Sequence, residues 1–300
     1  MRRSRDARLA QGDSVRAPPA TRALRAIAIV ALLAWSLGPV AVGVVTSISS
    51  QTDVQTVPAR WLPDHATLDA YRALIAGAST SLGSTASDSS AFGQSMLSSV
   101  EVTLEATVAS VAVSLIAGYA FSRLRFRGSK ALFWAILATL VIPVFTLVVA
   151  LFRTMAQLHL INTQLGLVLV YLTTQAPLAI WLFYNYCRDL PVEPEEAALI
   201  DGCTRWRAFR KVVLPQMRSG IAAVTAIVML LSYGQFLIPL LLGSSPSTTP
   251  VTVLITDFVG KYTTNYPLLA AGGVIALLPP AIVAILLNRH IRGMLSGSVG

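Results

Sequence analysis

Six stretches of the chain are long, apolar and free of charged side chains. They run approximately over residues 26–48, 106–122, 131–152, 164–187, 221–242 and 268–287. A helix needs about 20 apolar residues to cross the hydrocarbon core of a bilayer. The second stretch reaches that length if it extends back to near Ser99, with Glu101 and Glu105 at its aqueous end. The pattern therefore predicts an all-α membrane protein with six transmembrane helices.

The basic residues are distributed unevenly between the two sides of the predicted bundle. The net charge of +9 is also compatible with nucleic-acid binding, but only 12% of the residues are charged, against about 25% in soluble domains. Threading the chain through the six spans puts 19 of the 23 Lys and Arg on one side. Such residues accumulate in cytoplasmic loops. We therefore expect a multi-pass protein of the cytoplasmic (inner) membrane, with both termini cytoplasmic. Its surroundings are expected to be membrane lipid, and it is not expected to bind nucleic acid.

The segments outside the spans define the predicted organisation. Residues 1–24 read as a cytoplasmic basic tail, and residues 25–300 as the transmembrane domain, with an external loop 51–98 and a cytoplasmic loop 188–220. The first apolar run is longer than the roughly 7–15 residues of a signal-peptide core, so we do not expect cleavage. Cys187 and Cys203 fall at or near the cytoplasmic side, so no disulfide is expected.

Small residues and prolines mark the interiors of the spans. The second span has a small residue at every fourth position: Ala106, Ser110, Ser114, Gly118 and Ser122. Such a stripe lets two helix backbones approach closely, which predicts that this face is buried against protein, although Ala and Ser are common in the chain. The later spans contain Pro143, Pro177, Pro239, Pro279 and Pro280. Because proline removes a backbone donor, each is expected to bend or break its helix.

The cytoplasmic loop between the fourth and fifth spans contains the most specific motif. Pro194 suits the first turn of a helix, and Glu195 and Glu196 complement the positive end of its dipole. Gly202 can end that helix in the left-handed conformation. The pattern predicts a short helix, a turn at Asp201–Gly202, and a second short helix, capped by Thr204, that leads into the fifth span.

This loop resembles the EAA loop of importer permeases of the ATP-binding cassette (ABC) class. The matching residues are Glu196, Ala197, Ala198, Gly202, Leu214 and Pro215. Flanking segments at 67–72, 117–128, 277–280 and 292–300 are similar to those of carbohydrate permeases, in particular the smaller permease of the maltose importer. Cys203, Ser219 and the Ser/Thr-rich external segment depart from that pattern. The resemblance implies the type I ABC importer permease fold.

The resemblance also implies a non-catalytic subunit that needs no cofactor or metal. The sequence has no phosphate-binding loop pattern, so ATP must be hydrolysed by another subunit. The partners implied are a second homologous permease subunit, a cytoplasmic ATP-binding cassette ATPase dimer and an extracytoplasmic solute-binding protein. The residues expected to couple this chain to the ATPase are Glu195, Glu196, Ala197, Ala198, Asp201, Gly202, Phe209, Leu214 and Pro215.

Polar residues inside the spans are candidates for the translocation path, because their exposure to lipid is costly. They are Ser232, Tyr233 and Gln235 in the fifth span and Thr173, Thr174 and Gln175 in the fourth. Interhelical hydrogen bonds are the other explanation for each of them. In some members of the family only one of the two permeases holds the sugar, so this subunit need not contact it.

Other classes of function fit the sequence less well. The three histidines are scattered, and no carboxylate within the spans is available for acid–base catalysis or for ion coupling. These features disfavour a membrane-embedded enzyme and a proton- or sodium-coupled transporter. An ABC importer for another small solute, such as an amino acid, phosphate or a polyamine, remains the alternative, and the sugar-type flanking motifs favour a sugar.

Overall fold

The computed structural model describes residues 19–57, 62–76, 91–243, 245, 248–259 and 264–286. The Ser/Thr-rich segment 79–90, the C-terminal motif 292–300 and most of the basic tail lie outside these ranges. The helices are α1 (Pro19–Ser47), α2 (Gln51–Val54), α3 (Asp69–Ala76), α4 (Phe92–Arg123), α5 (Ser129–Ala138), α6 (Val144–Gln157), α7 (Gln164–Asp189), α8 (Glu193–Ile200), α9 (Arg205–Ala208), α10 (Leu214–Gln216), α11 (Arg218–Tyr233), α12 (Leu237–Leu242), α13 (Val251–Asp257) and α14 (Tyr266–Ala276). A 3₁₀ turn, Thr139–Val141, follows α5, and a π-helical turn, Phe209–Val213, joins α9 to α10.

Four helical stretches are long and apolar enough to cross a membrane without a break. They are Ala23–Ser47, α4, α7 and Tyr266–Leu286, which continues from α14. Two further stretches qualify as bent pairs: residues 129–141 with α6, at 105°, and Arg205–Gln216 with α11, at 77°. When each bent pair is counted as one span, the described residues contain six candidate spans, the number that the sequence predicts, although the second bent pair begins before the predicted fifth span.

The prolines act differently from one span to the next. The third span breaks at Pro143, as the sequence predicts, because Ile142 is extended (ψ 119°) before it and the chain turns sharply between α5 and α6. Pro177, in contrast, is buried inside α7, which continues through it to Asp189. A proline in a buried helix is tolerated when neighbouring elements surround it. The expected break therefore occurs at Pro143 and not at Pro177.

Two predicted boundaries also differ from the structure. Helix α4 begins at Phe92, so the last part of the predicted external loop 51–98 is helical. The predicted fifth span, 221–242, is not one helix, because α11 ends at Tyr233 and α12 starts only at Leu237. Gly234 at the C-cap and Pro239 in the next helix both disfavour continuation.

Helices α4 and α7 pack closely along the stripe of small residues. Ala106, Ser110 and Ser114 are fully buried, and Gly118 lies against Phe183 of α7, where an added Cβ would come within 2.6 Å of the Phe183 Cβ. The Ser114 hydroxyl lies 3.4 Å from the Ala176 carbonyl oxygen, which it approaches as a donor. The predicted burial of the stripe is confirmed for these four positions, while Ser122 at its end is half-buried.

The elements between α1 and α4 join the ends of α1 and α14. The Thr67 amide donates to the Ile48 carbonyl at 2.8 Å, and the hydroxyls of Ser47 and Tyr71 are 2.7 Å apart. Leu74 of α3 belongs to the same buried cluster as Leu268 of α14. These contacts lie at the end of the bundle opposite to the loop between α7 and α11.

Candidate functional site

The loop between α7 and α11 folds locally as its sequence predicts. Pro194 occupies the first turn of α8. At the other end, Gly202 has φ +83°, its amide donates to the Leu199 carbonyl at 3.1 Å, and the Cys203 amide donates to the Ala198 carbonyl at 3.0 Å. This pair of bonds is the Schellman arrangement, which needs a left-handed residue at the position of Gly202. The sharp turn after α8 is therefore confirmed.

The chain then returns to the bundle through α9 and the π-helical turn. The Thr204 side chain caps α9 by accepting from the Arg207 amide at 3.3 Å, as expected. Phe209 and Val213 of the π turn are buried in one cluster with Cys187 of α7. Leu214 is half-buried and Pro215 is exposed. Helix α8 contacts this π turn, and the π turn is buried among the ends of the spans. The π turn therefore connects α8 to the bundle.

Helix α8 presents several uncovered side chains next to its turn. Glu196 and Ala197 are exposed, Ala198 is half-buried, and the Ile200 side chain is 87% exposed. The neighbouring Trp206 is 58% exposed. Helices α8 and α9 therefore carry two large, exposed apolar side chains, Ile200 and Trp206.

Glu195 differs from its neighbour Glu196, because its side chain is buried. Only 4% of the residue is exposed, and its Oε1 accepts a hydrogen bond from the Tyr119 hydroxyl at 2.5 Å. Its Oε2 lies 3.4 Å from Nε of Arg123, an ion-pair distance without hydrogen-bond geometry. Arg123 also donates to the Leu190 carbonyl at 2.8 Å. Sequence reasoning placed Glu195 in the loop but missed these contacts.

Tyr119 and Arg123 are the residues that the sequence analysis did not assign to the site. They are four residues apart on α4, so they lie on the same face of the helix. The sequence did contain a signal for these two residues, because a tyrosine and an arginine lie one helical turn apart at the charged end of an apolar span. Next to them a cleft of about 610 Å³ separates the end of α4 from α8. Its lining residues are Ser122, Arg123, Leu124, Arg125, Val192, Glu195, Glu196, Leu199 and Arg205.

The candidates for the translocation path lie in different surroundings. Ser232 donates to the Gln175 side-chain oxygen at 2.9 Å, and both residues are buried, which makes this an interhelical hydrogen bond. Tyr233 donates to the Ala276 carbonyl at 2.9 Å. Thr173 and Thr174 donate to carbonyls of their own helix.

Gln235 is half-buried, and its backbone carbonyl accepts a hydrogen bond from the Thr252 hydroxyl at 2.8 Å. Among these six positions, only Ser232 and Gln175 contact each other in the described hydrogen bonds. A role of the six residues in the translocation path remains a prediction.

Known proteins are similar to this chain in sequence and in fold. Residues 110–295 match the family described as "Binding-protein-dependent transport system inner membrane component". The chain is 31% identical over 280 residues to the diacetylchitobiose uptake system permease protein NgcG of Streptomyces coelicolor, covering 92% of this chain and 88% of that protein. It is 34% identical over 213 residues to the osmoprotective compounds uptake permease protein GgtD of Synechocystis sp., covering 70% and 72%.

A solved structure gives the same fold. A chain of a bacterial ABC transporter involved in the import of the acidic polysaccharide alginate superposes with a TM-score of 0.76 at 19% identity, over 91% of this chain and 97% of that one. The helices and the loop thus define an integral membrane permease with the type I ABC importer fold. The chain belongs to the family of binding-protein-dependent transport system inner membrane components. The resemblance to carbohydrate ABC importer permeases is confirmed.

Proposed function

We propose that this chain is the transmembrane permease subunit of an ATP-driven importer for a sugar or sugar derivative, and that α8 docks into the ATPase. The observation that carries the docking is the shape of α8. It is a short helix that ends in the turn at Gly202 and is exposed at one end of the bundle. Phe209, in the π turn that follows, is buried among the spans. Glu196, Ala197 and Ile200 supply the exposed surface that the ATPase covers.

The substrate class is supported by the names of the relatives. One is a diacetylchitobiose uptake permease, and another, 30% identical over 241 residues, is a trehalose transport permease of Mycobacterium tuberculosis. An amino acid or a polyamine is the alternative substrate. The fold does not distinguish a sugar importer from an amino-acid importer, since the methionine transporter MetNI also superposes, with a TM-score of 0.55 at 15% identity.

The proposed mechanism is a rigid-body movement transmitted from the ATPase. Closure of the ATPase on nucleotide displaces α8, and the buried π turn passes that displacement to α11. The spans then alternate between inward-open and outward-open arrangements. This chain contributes no step of ATP hydrolysis, which we assign to the partner ATPase dimer.

The remaining parts of the chain fit the same assembly. We assign residues 1–24 to a cytoplasmic basic tail, residues 25–300 to the permease domain, and 188–220 to the coupling loop, with both termini cytoplasmic. The external segments face a solute-binding protein, and a second homologous permease and lipid cover the sides of the bundle. The uneven distribution of Lys and Arg supports this orientation.

The docking is tested at Gly202. A β-branched residue strongly resists a φ of +83°, so Gly202→Val strains the turn by about 1–3 kcal/mol and displaces the end of α8. We expect normal membrane insertion, weakened ATPase association and lost uptake. Gly202→Asn is the matched control, because asparagine tolerates this conformation and an added Cβ meets no atom within 4 Å. Its uptake should stay close to that of the wild type.

Glu196→Lys provides a second test at the exposed surface. The reversed charge opposes a basic group of the ATPase, so we expect a milder loss of association than with Gly202→Val. Solute uptake and co-purification of the ATPase are measured together for each variant. Wild-type uptake with the ATPase bound in both Gly202→Val and Glu196→Lys would remove the loop from the mechanism. Uptake of labelled disaccharides against amino acids by the wild-type importer decides the substrate class.

A further inference from the structure

Glu195 connects α8 to the end of α4 beside a cleft. The cleft, of about 610 Å³, is lined by Ser122 and Arg123 on the α4 side and by Glu195 and Leu199 on the α8 side. Beside this cleft, buried polar atoms join α8 directly to α4. Those atoms are the Glu195 carboxylate oxygens, 2.5 Å from the Tyr119 hydroxyl and 3.4 Å from Arg123 Nε.

Tyr119 and Arg123 each reach a further element. Arg123 donates to the carbonyl of Leu190, directly after α7, at 2.8 Å. The ring of Tyr119 lies 4.6 Å from the ring of Phe209 in the π turn, measured between centroids. Tyr119 and Glu195 are more than nine-tenths buried, and the Arg123 side chain is 11% exposed, so water competes little with these contacts. Three side chains thus join α4, α7, α8 and the π turn.

We propose that Tyr119, Arg123 and Glu195 form a positioning cluster that makes α8 move as one body with the cytoplasmic ends of α4 and α7. The inference rests on the proposed function, because it concerns the motion that the ATPase imposes on α8. Without the cluster, the short connection between α7 and α8 absorbs part of that motion. The two adjacent glutamates then have separate tasks. The exposed Glu196 faces the ATPase, and the buried Glu195 holds α8 to the membrane helices.

The test uses the complete importer in liposomes, with the second permease, the ATPase and the binding protein present. Tyr119→Phe removes the hydroxyl but keeps the ring against Phe209, and Glu195→Gln removes the negative charge. The readouts are ATPase co-purification and the amount of solute imported per ATP hydrolysed. We expect wild-type association and a ratio at least about fivefold lower, the size of a lost coupling free energy between two sites.

Tyr184→Phe is the matched control. Tyr184 lies near the same end of α7, but its ring packs against Phe133 of α5, at 4.3 Å between centroids. The ratio of import to hydrolysis should not change in this variant. The double variant of Tyr119→Phe and Glu195→Gln should be no worse than Glu195→Gln alone, because both changes act through one carboxylate.

The possible results distinguish a failure of the positioning cluster from a failure of the proposed function. A wild-type ratio in Tyr119→Phe and Glu195→Gln overturns the positioning cluster and leaves the proposed function intact. Lost ATPase association with an unchanged ratio also overturns it, since Glu195 would then belong to the docking surface. If Glu195→Gln fails to assemble, the ratio of Tyr119→Phe decides alone. A wild-type chain that binds no ATPase overturns the proposed function itself.

Discussion

At the scale of single residues, close approach of backbones controls the packing of this bundle. Gly118 touches the backbone of α7, because an added Cβ would come within 2.6 Å of Phe183 Cβ and 3.0 Å of the Tyr184 amide nitrogen. Atoms on or next to a main chain cannot rotate away as the end of a flexible side chain does. Membrane helices depend on such contacts, since lipid is as apolar as their side chains.

Gly118→Ala should therefore destabilise the protein, although alanine favours helices. We expect a loss of about 1–3 kcal/mol, the usual cost of overpacking, seen as a lower melting temperature in detergent. Gly38→Ala in α1 is the control, because its added Cβ meets no atom within 4 Å. Equal melting temperatures for the two variants would mean that α4 and α7 separate at no cost.

The residues of the site differ in how far the sequence reveals them. Pro194, Gly202 and Thr204 were predicted correctly, because caps and turns depend on neighbours within a few positions. The different surroundings of Glu195 and Glu196 were not predicted. Glu195 is buried by contacts with Tyr119 and Arg123, which are more than seventy positions away in the sequence, and local pattern carries no information about such contacts.

At the scale of elements, the sequence identifies the spans better than their ends and bends. Long apolar runs gave the existence of all six, but Pro143 and Pro177 look alike in sequence and act differently. Pro143 follows an extended residue and separates two helices, whereas Pro177 is surrounded by neighbours inside α7. The extension of α4 back to Phe92 was missed because those turns are polar, with Ser95, Ser98 and Ser99 buried against other elements.

The short helix α2 holds the neighbouring ends of two spans together. The Gln51 side chain donates to the Thr264 carbonyl at 2.7 Å and accepts from the Tyr266 amide at 3.1 Å, at the start of α14. Gln51→Ala removes both bonds, and we expect a loss of about 1–2 kcal/mol. The measurement is thermal unfolding in detergent, with Thr52→Ala, at an exposed neighbour, as the control. A Gln51→Ala variant as stable as that control would contradict this role.

At the scale of the whole molecule, contacts between distant segments agree with one threading of the chain. Gln51 meets Thr264, and the Asn162 amide donates to the Leu242 carbonyl at 2.8 Å, all in segments that the threading puts outside. Arg123 meets Leu190 in segments that it puts inside. The threading through six spans predicted this sorting into two ends. Which helices lie side by side depends on packing that the sequence pattern does not encode.

The orientation of the bundle can be tested with two exposed positions at its opposite ends. Val57 is 96% exposed in the segment that the threading puts outside. Arg127 is exposed between α4 and α5, on the side to which the threading assigns 19 of the 23 Lys and Arg. In a Cys203→Ser background, a membrane-impermeant thiol reagent should label Val57→Cys in intact cells. Arg127→Cys should react only after the membrane is permeabilised, because the translocation of basic loops is opposed. Labelling of Arg127→Cys in intact cells would show that the bundle has the opposite orientation. Helix α8 would then lie outside the cell, where it could not dock to the ATPase.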